Sequence, residues 1–106
     1  MPSTIDPVFK RGQVASILGV DPQTIANREK SGVYPKAKRD LINNYRWYNL
    51  NDVLNLQIIT FGSIDTRKIL GVLYDMGYTD VKALGLLMEQ ALSRRKGEVN
   101  APRTKS

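Results

Sequence analysis

A four-residue segment near the start of the chain, Gly19 to Pro22, predicts a sharp bend between two short helices. Gly19 can adopt the positive φ that ends a helix, because it has no Cβ to strain that conformation. Asp21 is a favourable N-cap, and Pro22 is favourable at the first position of the helix that follows. We therefore expect one helix from residue 11 or 12 up to this bend and a second from Pro22 to Lys30.

The two predicted helices have apolar positions that would face each other and polar positions that would face outward. Ala15 is small enough for the point where the helices cross, and Val20 and Ile25 would fill the angle between them. The outward side chains of the second helix can all bond base edges or phosphates: Gln23, Thr24, Asn27, Arg28 and Lys30. Such helix pairs also occur in domains that never bind nucleic acid, so the pair alone does not decide the function.

A basic segment with the signals of a β-hairpin follows the second helix. Pro35 stops helical structure, and Asn43-Asn44 suits a hairpin turn because asparagine tolerates positive φ. The strand-forming segment Tyr45 to Tyr48 comes next. Four cations belong to this hairpin: Lys36, Lys38, Arg39 and Arg46. A basic hairpin directly after two such helices is typical of a wing, so we expect a mainly α fold. The expected architecture is a winged helix-turn-helix with a small β-hairpin wing and C-terminal helices.

The chain resembles the winged helix-turn-helix of the MerR family in the order and spacing of these residues: Ala15, Gly19-Val20, Thr24, Glu29, Gly32, Pro35, Arg39, Tyr45-Arg46, Tyr48 and Asp52. The resemblance covers Phe9 to Ile59 and implies a double-stranded DNA-binding domain over residues 9–78. It departs from the family where Asn44 replaces the usual glycine before the wing tyrosine. It also departs where Ala26-Asn27-Arg28 replaces an Arg-aromatic-Tyr run, a difference that concerns the base preference and not the fold.

The net charge of +6 is unevenly placed along the chain. The segment from Lys10 to Arg46 holds eight basic and three acidic residues, Trp47 to Ser93 holds three and five, and Arg94 to Ser106 holds five and one. A basic DNA-contacting region with a separate, more acidic region is expected of a nucleic-acid-binding protein. The absence of cysteine and histidine excludes disulfides, thiolate metal sites and histidine acid–base catalysis, so we expect neither an enzyme nor a cofactor.

Three further helices are predicted after the hairpin. Asn49, with Asp52 three residues on, would cap a largely buried helix to Thr60; Ser63 or Asp65 would cap the next, to about Met76.

Thr79 would cap a last helix from Asp80 to about Lys96, ended by Gly97. By the resemblance, residues 79–96 form a self-association helix with this apolar stripe: Leu84, Leu87, Met88, Ala91 and Leu92. The alternative is a helix folded back on its own domain. Residues 1–8 are expected to be flexible, and residues 97–106 to form a basic disordered tail.

The sequence therefore favours a sequence-specific double-stranded DNA-binding transcription regulator, acting as a homodimer or higher oligomer. Its recognition helix would enter the major groove, with the basic wing on the backbone or the minor groove. MerR-type regulators usually continue into an effector-binding domain, and none is expected here. The expected DNA contacts are Arg11, Gln23, Thr24, Asn27, Arg28, Lys30, Lys36, Lys38, Arg39, Tyr45 and Arg46.

Two other functions remain open at the level of sequence. One is an excisionase-like or architectural DNA-bending factor of a phage or mobile element, with a recombinase as partner where a regulator would have RNA polymerase. The other is a protein–protein adaptor, which would show no salt-dependent DNA binding. With no run of about 18 apolar residues and no signal peptide, we expect no membrane partner and a cytoplasmic, nucleoid-associated protein.

Overall fold

The computed structural model describes the backbone of residues 7–103 and the side chains of residues 7–95. The first six residues of the predicted flexible N-terminus and the last three of the predicted tail lie outside the described residues. The described elements are, in order, α1 Arg11–Leu18, α2 Pro22–Lys30, β1 Lys38–Arg39, β2 Arg46–Trp47, α3 Leu50–Phe61, α4 Thr66–Asp75 and α5 Val81–Arg103. The expectation of a mainly helical chain with a small hairpin is confirmed. In the described part of the chain, no helix combines the length and apolar character needed to cross a membrane.

The bend between α1 and α2 forms as its residue types predict. Gly19 has a φ of 70°, and the Asp21 carboxylate accepts a hydrogen bond from the backbone N–H of Gln23 at 3.0 Å. At its other end, α2 stops at Lys30 as predicted, before Pro35 is reached. Gly32, with a φ of 87°, already turns the chain out of the helix there.

The hairpin has two residues in each strand, with Lys38 opposite Trp47 and Arg39 opposite Arg46. Its turn includes the predicted Asn43-Asn44 pair. Asn44, at a φ of 62°, is the one non-glycine residue with positive φ in the described part of the chain. Asparagine tolerates this left-handed conformation, so Asn44 can take the backbone shape that a glycine would otherwise supply.

Side-chain caps set the starts of the last three helices. Asn49 and Asp52 form the predicted capping box on α3, each side chain accepting from the other's backbone N–H at 2.8 and 3.0 Å. Asp65, rather than Ser63, caps α4. At α5 the Asp80 carboxylate accepts from the backbone N–H of Ala83 at 3.2 Å, so Asp80 takes the role predicted for Thr79.

The last helix is longer than predicted. The sequence places its end at Lys96, before Gly97, but α5 continues to Arg103 and covers most of the segment expected to be a disordered tail. A single glycine costs only about 1 kcal/mol inside a helix and does not have to end it. The prediction failed because it treated Gly97 as an obligatory stop.

The core lies where α1 packs against α2, α3 and α4. Phe9 is fully buried beneath it and pairs with Tyr48 through two backbone hydrogen bonds of 2.8 and 2.9 Å. Pro7, in the segment 1–8 expected to be flexible, is buried too. Two apolar residues of α3, Ile58 and Ile59, are 39% and 45% exposed, so this helix is less buried than its composition predicted.

The apolar stripe of α5 packs on the chain's own core. Leu84 and Met88 are each 5% exposed and belong to the core cluster, with Leu87 and Ala91 partly buried beside them, and Leu92 is half-buried. This is the alternative in which the helix folds back on its own domain. Leu84 and Met88 were assigned to self-association, but in this fold they have no surface left to offer a second copy.

Candidate nucleic-acid interface

One face of α2 carries exposed polar side chains. Gln23, Asn27 and Lys30 follow at spacings of four and three residues, which places them on one side of a helix, and all three are exposed. The Gln23 side-chain amide donates to the Asn27 side-chain oxygen at 3.1 Å. This bond leaves the N–H₂ group of Asn27 and the side-chain oxygen of Gln23 available to a ligand. Thr24 lies beside them and is half-buried.

Arg28, which was expected on the same face, has partners within the chain. Its guanidinium donates to the Tyr34 hydroxyl at 2.8 Å and lies 5.5 Å from the centre of the Tyr34 ring. The Tyr34 hydroxyl is in turn bonded to the Thr60 hydroxyl at 2.6 Å. Arg28 is therefore linked through Tyr34 to the end of α3, and its guanidinium has a partner within the chain.

The opposite face of α2 carries a buried carboxylate that fixes the hairpin. The Glu29 side chain is 8% exposed and accepts hydrogen bonds from the backbone N–H of Ala37 at 2.7 Å and from Nε of Arg46 at 2.8 Å. Burial alone would raise the pKa of Glu29. The Ala37 and Arg46 hydrogen bonds, with the positive charges of Arg46 and Arg39, outweigh burial and hold that pKa below its ordinary value.

The contact of Glu29 with the hairpin was missed by reasoning from the sequence. The available signal was its position four residues after the buried Ile25, which placed a carboxylate on the inward face of α2. A buried carboxylate needs a partner, and the sequence alone did not show that Arg46 was the nearest one. The structure thus gives Arg46, an expected DNA contact, a first role in positioning the hairpin.

A second polar contact joins β1 to the start of α3. Nζ of Lys38 lies 2.9 Å from the Asp52 carboxylate and 5.7 Å from the centre of the Trp47 ring. The Lys38 side chain is 43% exposed, so this pair is a surface ion pair of small energetic value. Lys38, like Arg46, contributes to where the hairpin sits.

A cleft of about 1020 Å³ separates the hairpin from the first turns of α1 and α2. Cations from three separate parts of the chain line it: Lys10 and Arg11 at the start of α1, Arg39 on β1 and Arg46 on β2. The amides at a helix N-terminus carry partial positive charge, and Gly12, in the first turn of α1, brings one such end to the lining. The cleft is therefore suited to a polyanion.

Four of the predicted contact residues meet in this cleft, namely Arg11, Arg39, Tyr45 and Arg46. Lys36 is exposed but does not line the cleft. Asp40 is the acidic residue of the lining, and its Oδ1 accepts hydrogen bonds from the amides of Ile42 and Asn43 within the hairpin turn.

The hairpin turn also carries two apolar side chains to which the sequence analysis gave no role. Leu41 is 101% and Ile42 95% exposed, and the nearby Tyr45 is 68% exposed. Their position between a basic strand and a turn was visible in the sequence, but their complete exposure was not.

Comparison with known proteins gives no relative on which to base a function. No protein-family model matches the sequence, and neither the curated proteins nor the solved structures gave a match. The geometry of these residues is therefore the basis on which a function can be inferred.

Proposed function

We propose that this protein is a sequence-specific double-stranded DNA-binding transcription regulator with a winged helix-turn-helix resembling that of the MerR family. The observation that carries the proposal is the cationic cleft next to the polar face of α2. Arg11, Arg39 and Arg46 come from three elements and share that cleft. Phosphate contacts of this kind supply affinity and register, whereas a neighbouring polar helix face supplies sequence information.

In this proposal α2 is the recognition helix and lies in the major groove. A helix with its side chains is about 10–12 Å wide, and the major groove of B-DNA is about 12 Å wide. Asn27 and Gln23 have the amide donors and acceptors that pair with adenine. Lys30, on the same face, would bond a guanine edge or a phosphate.

The hairpin is the wing. Arg39 of the wing and Arg11 at the start of α1 hold the DNA backbone in the cleft. Lys38 and Arg46, with the Asp52 and Glu29 carboxylates, hold the wing in position relative to α2. The wing then sets the register in which α2 meets the bases.

The test begins with selection of bound duplexes from a randomised pool, followed by sequencing and a salt series on the enriched site. We expect a defined site. Asn27→Ala should relax the preference at one position by about 1–3 kcal/mol. Arg39→Ala should weaken binding to all sequences and reduce the salt slope by about one, because one phosphate contact is lost.

Arg94→Ala is the matched control, since Arg94 is an exposed arginine on α5 outside the cleft lining. It should leave the site preference unchanged and reduce the salt slope less than Arg39→Ala. Absence of salt-dependent binding would contradict the proposal and favour an adaptor. Salt-dependent binding with no enriched site would favour the excisionase-like or architectural alternative.

A further inference from the structure

The hairpin turn exposes two adjacent branched aliphatic side chains. Leu41 and Ile42 are 101% and 95% exposed, more than any other large apolar side chain of the described residues. Single exposed apolar residues are common on protein surfaces. Two neighbours with their whole side chains in water are a different feature, because both gain free energy from any partner that removes them from water.

The turn is held in one shape before any ligand arrives. Its ends are joined by the backbone N–H of Asp40 donating to the Tyr45 carbonyl at 3.0 Å. Inside it, Oδ1 of Asp40 accepts from the amides of Ile42 and Asn43 at 2.8 and 3.2 Å, and the side-chain oxygen of Asn43 accepts from the Tyr45 amide at 3.0 Å. A turn ordered in advance loses little further entropy on binding.

The position of the turn relative to α2 is fixed as well. Arg46, on the strand that leaves the turn, is bonded to Glu29 of α2 at 2.8 Å. Any ligand that seats the polar face of α2 therefore meets Leu41 and Ile42 at a set distance. The polar face of α2 and the Leu41–Ile42 turn therefore contact one and the same ligand.

The surroundings of the two side chains indicate what that ligand is. Arg39 and Arg46 stand opposite each other in the strands on either side of the turn, and both line the cationic cleft. A second copy pairing through the same surface would bring these arginines against their own counterparts, since a two-fold interface joins like to like. A duplex instead offers phosphates to the arginines and an apolar stack of bases to Leu41 and Ile42.

We propose that Leu41 and Ile42 form an apolar wedge that enters the minor groove and separates one base step, bending the duplex. This inference rests on the proposed DNA-binding function and adds the manner in which the DNA is deformed. Apolar side chains inserted in this way kink DNA by about 20–90°, and they act best at flexible pyrimidine–purine steps. Specificity would then arise in part from a deformable step beside the site read by α2.

The test uses the full chain and the duplex site enriched in the selection, with a TA step placed beside that site on each flank in turn. An aminopurine lies beside the TA step, and each end of the duplex carries a dye. Wild-type protein should raise aminopurine fluorescence as the base unstacks, and should shorten the end-to-end distance. The double variant Leu41→Ser with Ile42→Ser should lose both signals and bind about tenfold more weakly. Its salt slope should be unchanged, because no cation is removed.

The matched control removes two exposed aliphatic side chains from α5 instead, as Val81→Ser with Leu86→Ser. These are 75% and 54% exposed and lie outside the cleft lining. This control should keep both fluorescence signals and the wild-type affinity. Circular dichroism of both double variants should show unchanged helix content, since none of the four side chains is buried.

Three outcomes would overturn the wedge. The Leu41–Ile42 double variant could bend and unstack the duplex like wild type, or wild-type protein could bind the duplex with its bases still stacked. Sedimentation without DNA could instead show that wild type and the α5 control are dimers and that the Leu41–Ile42 double variant is a monomer. That result would assign the two side chains to contact with a second copy. Failure of wild-type protein to bind any duplex is a separate result, and it would remove the proposed function itself.

Discussion

The hairpin and the C-terminal helix are attached to the same helical core by different forces. The hairpin has only two residues in each strand, and polar contacts hold it. The Glu29 carboxylate accepts hydrogen bonds from Arg46 and from the Ala37 amide, and the Asp52 carboxylate pairs with Lys38. The helix α5 is held by burial of apolar side chains. It also has a polar contact, because the Arg95 guanidinium donates to the side-chain oxygens of Asn51 and Asn55 at 2.7 Å each.

This difference determines how each region can fail. Apolar burial depends little on direction, pH or salt, so α5 should stay in place as long as the core is folded. A carboxylate that accepts defined hydrogen bonds fixes direction closely, but it loses its value when protonated or unpaired. The hairpin can therefore lose its position while the helices remain folded. Trp47, the only tryptophan, lies on β2 and reports this region separately from the helices.

Met88→Ala should have the largest effect of the changes considered. Truncation of a 5% exposed core side chain removes buried surface and leaves a cavity, at a cost of about 2–5 kcal/mol in the free energy of unfolding. Urea unfolding should show Trp47 fluorescence and helix circular dichroism shifting together, because the whole core is weakened.

Leu86→Ala, at a half-exposed position of the same helix, is the control and should cost under about 0.5 kcal/mol. The free energy of unfolding of each variant should be the same at all protein concentrations. The wild-type free energy of unfolding could instead rise with protein concentration, and Met88→Ala alone could lose that rise. Met88 would then pack against a second copy, and the contrast between the hairpin and α5 would no longer hold.

Glu29→Gln should separate the two regions. Glutamine keeps an oxygen for the Ala37 amide but removes the charge that pairs with Arg46, at a cost of about 1–3 kcal/mol in the hairpin. We expect Trp47 fluorescence to change in urea before helix circular dichroism does. A single shared transition would mean that the hairpin and the core unfold as one unit.

The same carboxylate predicts a pH dependence. Because hydrogen bonds hold the folded-state pKa of Glu29 below the ordinary 4.5, its stabilisation is complete above that value. It is lost as the pH falls through the lower folded-state pKa, since protonation removes the negative charge beside Arg46. Wild-type Trp47 emission should change in this acid range. An equal acid transition in Glu29→Gln would assign the change to other carboxylates.

The sequence predicts several local features of this molecule, but it does not predict the distant contacts. The Gly19 bend, the Asp21 cap and the capping box at Asn49 each depend on residues within a few positions, so residue type and spacing determine them. The bond from Glu29 to Arg46 joins residues 17 positions apart and depends on how the hairpin lies against α2. Its two partners were visible in the sequence, but their pairing was not.

The same limit applies to the surfaces. A stripe of apolar residues in α5 predicts that one face is covered, but not whether the cover is the chain's own core or a second copy. A cation on α2 or the hairpin predicts a role in charge pairing, but not whether the anion is a phosphate or a carboxylate. Lys38 was therefore assigned to DNA, and the structure pairs it with the Asp52 carboxylate. Arg28, also assigned to DNA, donates to the hydroxyl of Tyr34.

Asn44→Ala should have the smallest effect and should sharpen the contrast between local and distant determinants. Alanine is strained at a φ of 62°, so the change should cost about 1 kcal/mol, confined to the hairpin turn. Trp47 fluorescence should show a small shift in urea with the helix signal unmoved. Asn44→Gly is the control, because glycine accepts this φ without strain and should leave the hairpin close to wild type. If Asn44→Gly were as damaging as Asn44→Ala, the role of Asn44 would lie in its side chain rather than in its backbone conformation. The turn would then depend on a contact that the local pattern did not predict.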